Sequence, residues 1–261
     1  NVSALELIAQ NIRGGRVVID GQDITIGNTV EDTPILLYFF KQGNLWRYDP
    51  KFTLNTLKTR LAKRPYLQGP IDQAFIKQFY VITPTGKSKN RAFQAWCDAE
   101  LAHFRDRWRA LMRGELREIP DSEYLAAIKG FSYSNIIFWG DPDSNSALRK
   151  VMSELPVKFQ DGKWAIGSTT YDGNRFVPSL IFPRKDSSVD STDYYSGYYV
   201  LNSGLTFREA HDRTNSQQNP KLPDWAIIDI TQPPNAETPG RIHDADFFDE
   251  QWQLKRQPKA P

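Results

Sequence analysis

Two short polar loops hold the side chains best suited to bind a ligand. Gly140–Asn145 follows the apolar run Asn135–Trp139 and opens a helical pattern, Asn145–Leu155. Asn202-Ser203-Gly204 follows a second strand candidate, Gly197–Leu201. Because open α/β sheets hold ligands at the carboxyl ends of parallel strands, near helix N-termini, we expect both loops at one sheet edge. The predicted site for a polar or anionic group comprises Gly140, Asp141, Ser144, Asn145, Asn202, Ser203 and Arg208.

The first loop also has a purely structural interpretation, which we favour. Ser144 or Asp143 would satisfy the free amides of the following helix, and every such helix needs a cap. The pattern is not G-x-G-x-x-G, so we expect no dinucleotide and predict no cofactor. The spacing D-x-D-x-N from Asp141 mimics an EF-hand, but Ser146 stands where that loop needs Gly and Met152 where it needs Glu. No metal site is predicted.

A catalytic triad could be drawn from Ser203, His211 and Asp229, but we reject it. A serine nucleophile normally lies on a sharp G-x-S-x-G elbow. Neither Asn202-Ser203-Gly204 nor Gly130–Ser134 matches that pattern, and the chain has only 3 His. We therefore predict no catalytic residue.

Acidic side chains cluster near the C-terminus. A carboxylate pair among them could act as the acid and base of a glycosidase. The neighbouring aromatic residues instead favour a terminal segment packed on the core, with the acids exposed or hydrogen-bonded. The residues are Asp244, Asp246, Phe247, Phe248, Asp249, Glu250 and Trp252.

Residues 1–62 are expected to be β-rich, with the pattern of the end of a β-sandwich. Arg16–Ile19 and Asp23–Ile26 flank the turn signal Asp20-Gly21, and Pro34–Phe40 turns at 42–44 into Leu45–Tyr48. An isolated hairpin is barely stable in water, so these strands need a further layer.

Residues 63–254 are expected to form an α/β domain, Rossmann- or flavodoxin-like, with a mostly parallel sheet. Apolar residues recur at three- and four-residue steps over Asn90–Met112, which predicts a long helix closed by Arg113-Gly114. The later strands are Ser179–Phe182, Gly197–Leu201 and Trp225–Ile230, and Thr206–Arg213 is predicted helical. Residues 255–261 are predicted to be a disordered tail.

Composition excludes several classes of function. Lys+Arg is 33 and Asp+Glu is 31 in 261 residues, so there is no basic surface for nucleic acid or an anionic membrane. The longest apolar runs are too short to span a bilayer. The single cysteine, Cys97, lies on the helical apolar stripe and is expected to be a buried structural thiol. The chain lacks an initiating Met and begins in what reads as mid-domain sequence, so we expect a fragment of a longer protein.

Five stretches resemble the C-terminal region of large bacterial prolyl-oligopeptidase-type or esterase-type α/β-hydrolases: LQGPIDQAF (67–75), NIIFWGDPDSN (135–145), YVLNSGLTFR (199–208), KLPDWAIID (221–229) and FFDEQW (247–252). In that family the nucleophile belongs to an upstream domain. The resemblance implies a secreted or periplasmic protein whose partner is the upstream hydrolase domain of the same polypeptide.

The leading hypothesis is thus an accessory, non-catalytic domain that braces the catalytic domain or presents substrate. A second hypothesis is a binding module for a carbohydrate or an anionic small ligand at the carboxyl edge of the sheet. A third is a stand-alone hydrolase with an atypical site.

Overall fold

A computed structural model of the chain describes residues 4–9, 15–26, 35–48, 61–64, 66–127, 134–185, 195–212 and 222–261. The chain divides into two compact units, Asn1–Thr59 and Arg60–Pro261. The elbow-like stretch at 130–134 lies almost entirely outside the described residues.

The first unit contains a hairpin and a three-stranded antiparallel sheet. The hairpin pairs β2 (Gly15–Ile19) with β3 (Gln22–Ile26), as predicted. Asp20 and Gly21 both have positive φ, the backbone that a two-residue hairpin turn requires. The sheet has the order β1 (Ala4–Ala9), β4 (Ile35–Gln42), β5 (Leu45–Tyr48). The core of this unit is Ile24, Ile26, Leu37, Phe39 and Trp46.

The second unit is built on a mixed seven-stranded sheet. Its strands are β6 (Phe79–Thr83), β7 (Glu118–Pro120), β8 (Asn135–Phe138), β12 (Phe176–Lys185), β13 (Tyr195–Leu201), β14 (Trp225–Asp229) and β15 (Arg241–Asp246). Their order across the sheet is β15-β14-β12-β13-β8-β6-β7. A separate antiparallel sheet holds β9 (Val157–Gln160), β10 (Lys163–Ile166) and β11 (Thr169–Asp172).

The predicted mostly parallel, Rossmann- or flavodoxin-like fold is wrong. Three neighbouring pairs are parallel, β13–β8, β8–β6 and β6–β7, whereas β12–β13, β12–β14 and β14–β15 are antiparallel. The described parts of β12, β13 and β14 are buried on both faces, and this pattern predicts a strand without giving its direction. Parallel neighbours need a long crossover, usually a helix. In the described residues between β12 and β14, the only helical segment is a four-residue 3₁₀ turn.

Helices are few in the described residues: α1 (Arg91–Met112), α2 (Tyr124–Ala127), α3 (Ser146–Val151) and 3₁₀ turns at Ile71–Phe75, Met152–Glu154 and Glu209–Asp212. The last turn replaces the helix predicted over 206–213. The long helix is confirmed, but Arg113 and not Gly114 takes the left-handed position after it. None of these helices is long and apolar enough to cross a membrane.

Residues 255–261, which we call the C-terminal tail, differ from the predicted disordered segment. The guanidinium of Arg256 donates to both carboxylate oxygens of Asp244 at 2.7 and 2.8 Å. The backbone N of Lys259 donates to the same carboxylate at 2.8 Å, and Thr169 donates to the Pro258 carbonyl at 3.1 Å. The partners of the tail come from β15, 12 residues before Arg256, and from β11, which is 89 residues before Pro258.

Candidate functional site

The two predicted loops lie at the same sheet edge, as expected. β13 and β8 pair in parallel with Leu201 opposite Phe138, so both strands end together. The Asn202 side chain then bridges the loops: the backbone N of Gly140 donates to its Oδ1 at 3.0 Å, and its Nδ2 donates to the Gly140 carbonyl at 3.1 Å. Asn202 has a φ of 47°, a conformation that Asn tolerates better than most residues.

The first loop acts as a helix cap, one residue later than expected. Asn145, not Ser144 or Asp143, caps α3 by accepting from the backbone N of Leu148 at 2.9 Å. Asp141 Oδ1 accepts from both the backbone N and the hydroxyl of Ser144, each at 2.8 Å. Gly140, Asp141, Ser144 and Asn145 are all buried. Their polar atoms bond to one another and to Ile82, Ser88 and Asn202 of neighbouring segments, which matches the structural interpretation.

A third loop, residues 84–90 between β6 and α1, is absent from the predicted site and closes this edge. The chain leaves β6 and β8 in opposite directions across the sheet, and such a switch point is where open α/β sheets hold ligands. Here the Ser88 hydroxyl donates to Asp141, and the backbone N of Gly86 donates to the Ser144 carbonyl at 3.0 Å. A Cβ on Gly86 would lie 2.8 Å from that carbonyl oxygen. The backbone is packed where a ligand would have to enter.

Asp121 completes the closure. Its carboxylate accepts from the backbone N of Thr85 at 2.7 Å and from that of Ser146 at 2.6 Å, so it joins the loop after β6 to the start of α3. Both Asp121 and the loop after β6 follow parallel strands. The same carboxyl-end rule that selected the two predicted loops could therefore have placed them at this edge.

Arg208 is an internal brace and not a ligand-facing cation. Its Nη1 donates to Glu100 Oε2 at 2.7 Å, and both side chains are 2% exposed. Burial raises the pKa of Glu100, and the Arg208 charge opposes that rise. Arg208 also donates to the carbonyl oxygens of Asn235 and Thr238. The guanidinium thus ties α1 to the loops that follow β13 and β14.

The rejected triad does not assemble. Ser203 Oγ is buried and has no hydrogen-bond partner among the described residues. Asp229 binds Arg175 at 3.0 Å and Arg241 at 2.6 Å. Although burial alone would raise it, hydrogen bonds from Thr231 and the two arginines hold the pKa of Asp229 far below its usual range.

His211 is half-buried, and burial lowers its pKa, so the imidazole is neutral at pH 7. A neutral imidazole is what a general base requires. However, no hydrogen bond joins it to Ser203 or Asp229 in the described part of the chain, so the base has no nucleophile to activate.

The C-terminal acids have structural roles. Asp244 and Asp246 pair with Arg256 of the C-terminal tail, at 2.7 and 3.0 Å. Asp249 Oδ1 accepts from the backbone N of Gln251 and of Gln253, each at 2.8 Å. Phe248 and Trp252 are buried beside them, as predicted. Within the described ranges, no group of three or more His, Cys, Asp or Glu could hold a metal ion.

Open space lies elsewhere on the second unit. A cleft of about 690 Å³ is bordered by Leu155, Phe182 and Trp252, and one of about 470 Å³ by Asp72, Phe207 and His211. A groove of about 430 Å³ lies between β6 and the end of α1. None of the seven predicted site residues lines any of these three spaces.

Comparison with protein-family models gave no match, and comparisons with curated proteins and with solved structures gave none either.

Proposed function

We propose that this chain is a non-catalytic accessory module of a larger secreted or periplasmic hydrolase. It acts by binding, either to brace the catalytic domain or to present its substrate. One observation carries the non-catalytic part. The sheet edge where α/β folds place reacting groups is closed by the chain's own hydrogen bonds, between Asn202 and Gly140 and between Ser88 and Asp141. The hydrolase parent and the extracytoplasmic setting rest on the resemblance of the five stretches.

The isolation of Ser203 supports the same proposal. Acyl transfer by serine needs a base within about 2.6–3.2 Å of the hydroxyl. Ser203 Oγ has no such partner in the described residues, and it is shielded from solvent. The carbohydrate or anion module predicted at this edge gains no support from geometry, because the converging loops bind each other.

A fluorophosphonate probe, which labels activated serines covalently, tests this proposal. The natural protein that contains this chain is treated with the probe, digested and mapped by mass spectrometry, with a heat-denatured sample as control. We expect labelling on a serine outside residues 1–261 and none on Ser203. Label on any serine of this chain that disappears on denaturation would overturn the proposal.

A turnover assay gives a second, independent measure. The chain is assayed on short-chain aryl esters and peptides, alone and as the Ser203→Ala and His211→Ala variants. We expect all three proteins to match the uncatalysed rate. Saturable turnover that Ser203→Ala abolishes would establish the stand-alone hydrolase instead.

A further inference from the structure

The groove of about 430 Å³ has the size of a small-molecule site. Sites for small ligands are roughly 300–1,000 Å³, mostly apolar and aromatic, with a few polar groups at defined places. This groove has an apolar floor formed by Phe75, Phe79, Trp108, Met112 and Leu116. We call it the α1 groove.

The floor of the α1 groove is preformed. Phe75 ends a 3₁₀ turn, and its ring meets that of Phe79 edge-on with centroids 5.2 Å apart. Phe79 in turn meets Trp108 at 4.9 Å with an interplanar angle of 89°. Trp108 and Met112 are four residues apart and so lie on one face of α1. A ligand entering here would not have to order the aromatic rings first.

The last turn of α1 leaves apolar surface in water. Leu111 and Met112 are 41% and 52% exposed, and Ile76, which follows Phe75, is 69% exposed. The apolar stripe of the sequence predicts that Leu111 and Met112 face inward. In the structure both residues instead border open space: Met112 lines the α1 groove, and Leu111 lines the separate cleft beside Asp72.

The charges of the α1 groove have a net positive sign. Its charged side chains are Lys77, Glu115 and Arg117. Glu115 is already neutralised, because its two oxygens accept from Arg109 at 2.8 Å each. Neither Lys77 nor Arg117 has a carboxylate partner among the described residues, although Lys77 lies 5.8 Å from the Tyr66 ring centroid. Two cations beside an aromatic floor favour an anion attached to an apolar body.

We propose that the α1 groove binds a small aryl or alkyl carboxylate. The apolar body lies on Phe79, Trp108 and Met112, and the carboxylate faces Arg117 and Lys77. This inference goes beyond the proposed function, since it holds whether or not the chain belongs to a hydrolase.

A matched pair of probes tests the inference: 4-phenylbutyrate and 4-phenylbutylamine, which share an apolar body and differ in charge. Binding to the full chain is followed by NMR of the seven indole N–H groups, with the Trp108 signal assigned from Trp108→Phe. We expect 4-phenylbutyrate to shift the Trp108 signal saturably and to leave that of buried Trp225 in place. The amine should bind about tenfold more weakly, because attraction to the cations becomes repulsion; that factor corresponds to about 1.4 kcal/mol.

Charge reversal provides the matched variants. Arg117→Glu should weaken the binding of 4-phenylbutyrate about fivefold, as expected for a partly exposed charge pair. The difference in affinity between 4-phenylbutyrate and 4-phenylbutylamine should become smaller. Arg91→Glu, at the opposite end of α1, should leave both affinities unchanged. Three results would overturn the inference: no saturable shift with the carboxylate, equal binding of both probes, or the same loss in Arg91→Glu as in Arg117→Glu.

Discussion

Replacing Lys63 by methionine should destabilise the unit Arg60–Pro261 by about 3–5 kcal/mol, the usual cost of removing one partner of a buried ion pair. Lys63 Nζ lies 2.5 Å from Asp224 Oδ2, and the side chains are 12% and 0% exposed. The backbone N of Phe248 also donates to Oδ2 at 3.0 Å, whereas Oδ1 has no partner in the described residues. Without the ammonium group, the carboxylate would stay buried with a single hydrogen bond. The residual exposure of Lys63 places the expected loss near the lower end of the range.

The free energy of unfolding of the same variant should fall as the pH rises. Burial raises the pKa of Asp224, and removing Lys63 raises it further. A carboxyl group whose pKa is higher in the folded than in the unfolded chain binds more protons when folded, so stability falls as pH rises. The deficit of Lys63→Met relative to the parent should therefore be largest near pH 7. It should shrink as the pH falls toward the unfolded value of about 3.9.

Urea unfolding followed by tryptophan fluorescence measures this loss. A Trp46→Phe background confines the signal to the second unit, since the other six tryptophans all lie there. The double variant Lys63→Met/Asp224→Asn is the matched control and should recover most of the stability, because it leaves no buried charge. A loss below about 1 kcal/mol, the level of an exposed pair, would refute the reasoning. So would a double variant as unstable as the single one.

Three further predictions concern other parts of the second unit. Asn202→Gly keeps the left-handed backbone but removes both bonds to Gly140, so urea unfolding should show a loss of about 1–3 kcal/mol; an unchanged midpoint would contradict the bridging role. Burial raises the pKa of Cys97 to about 12, so the thiol should resist iodoacetamide at pH 8 until urea unfolds the chain, and rapid native labelling would refute its burial. Arg256 lowers the pKa of Asp244 to about 2. The contribution of the ionised Asp244 carboxylate to stability is complete above about pH 4 and is lost as the pH falls toward 2. Asp244→Asn removes that charge, so at pH 7 the C-terminal tail should be released. The fluorescence anisotropy of a dye attached to the C-terminus should then fall.

Local features of the chain could be predicted because they depend on local physics. The Asp20-Gly21 turn, the helix Arg91–Met112 and the buried run Asn135–Trp139 follow from φ preferences and hydrophobic periodicity, and all three are present. The burial of Cys97 follows from the same periodicity. The position of Asn202 beside Gly140 required one more step, the parallel pairing of β13 and β8.

Strand direction and the use of polar groups could not be predicted in this way. A strand buried on both faces has the same pattern in either direction, so β12 and β14 gave no sign that they run antiparallel to their neighbours. Likewise, a polar residue after a strand has the same appearance whether it faces a ligand or another loop. The Asp141 carboxylate is hydrogen-bonded to Ser88, which is 53 residues away, and the Arg208 guanidinium is hydrogen-bonded to Glu100, which is 108 residues away.

The sequence by itself determined the solvent-shielded strands, the long amphipathic helix, the absence of a G-x-S-x-G elbow and the set of polar residues gathered at one edge. Only the tertiary structure decided that this edge is closed and that the end of α1 borders an open groove, where Lys77 and Arg117 have no carboxylate partner among the described residues. The physical reason is that hydrophobic periodicity and turn chemistry depend on neighbours along the chain. Hydrogen-bond satisfaction and exposure depend on partners brought together from distant segments.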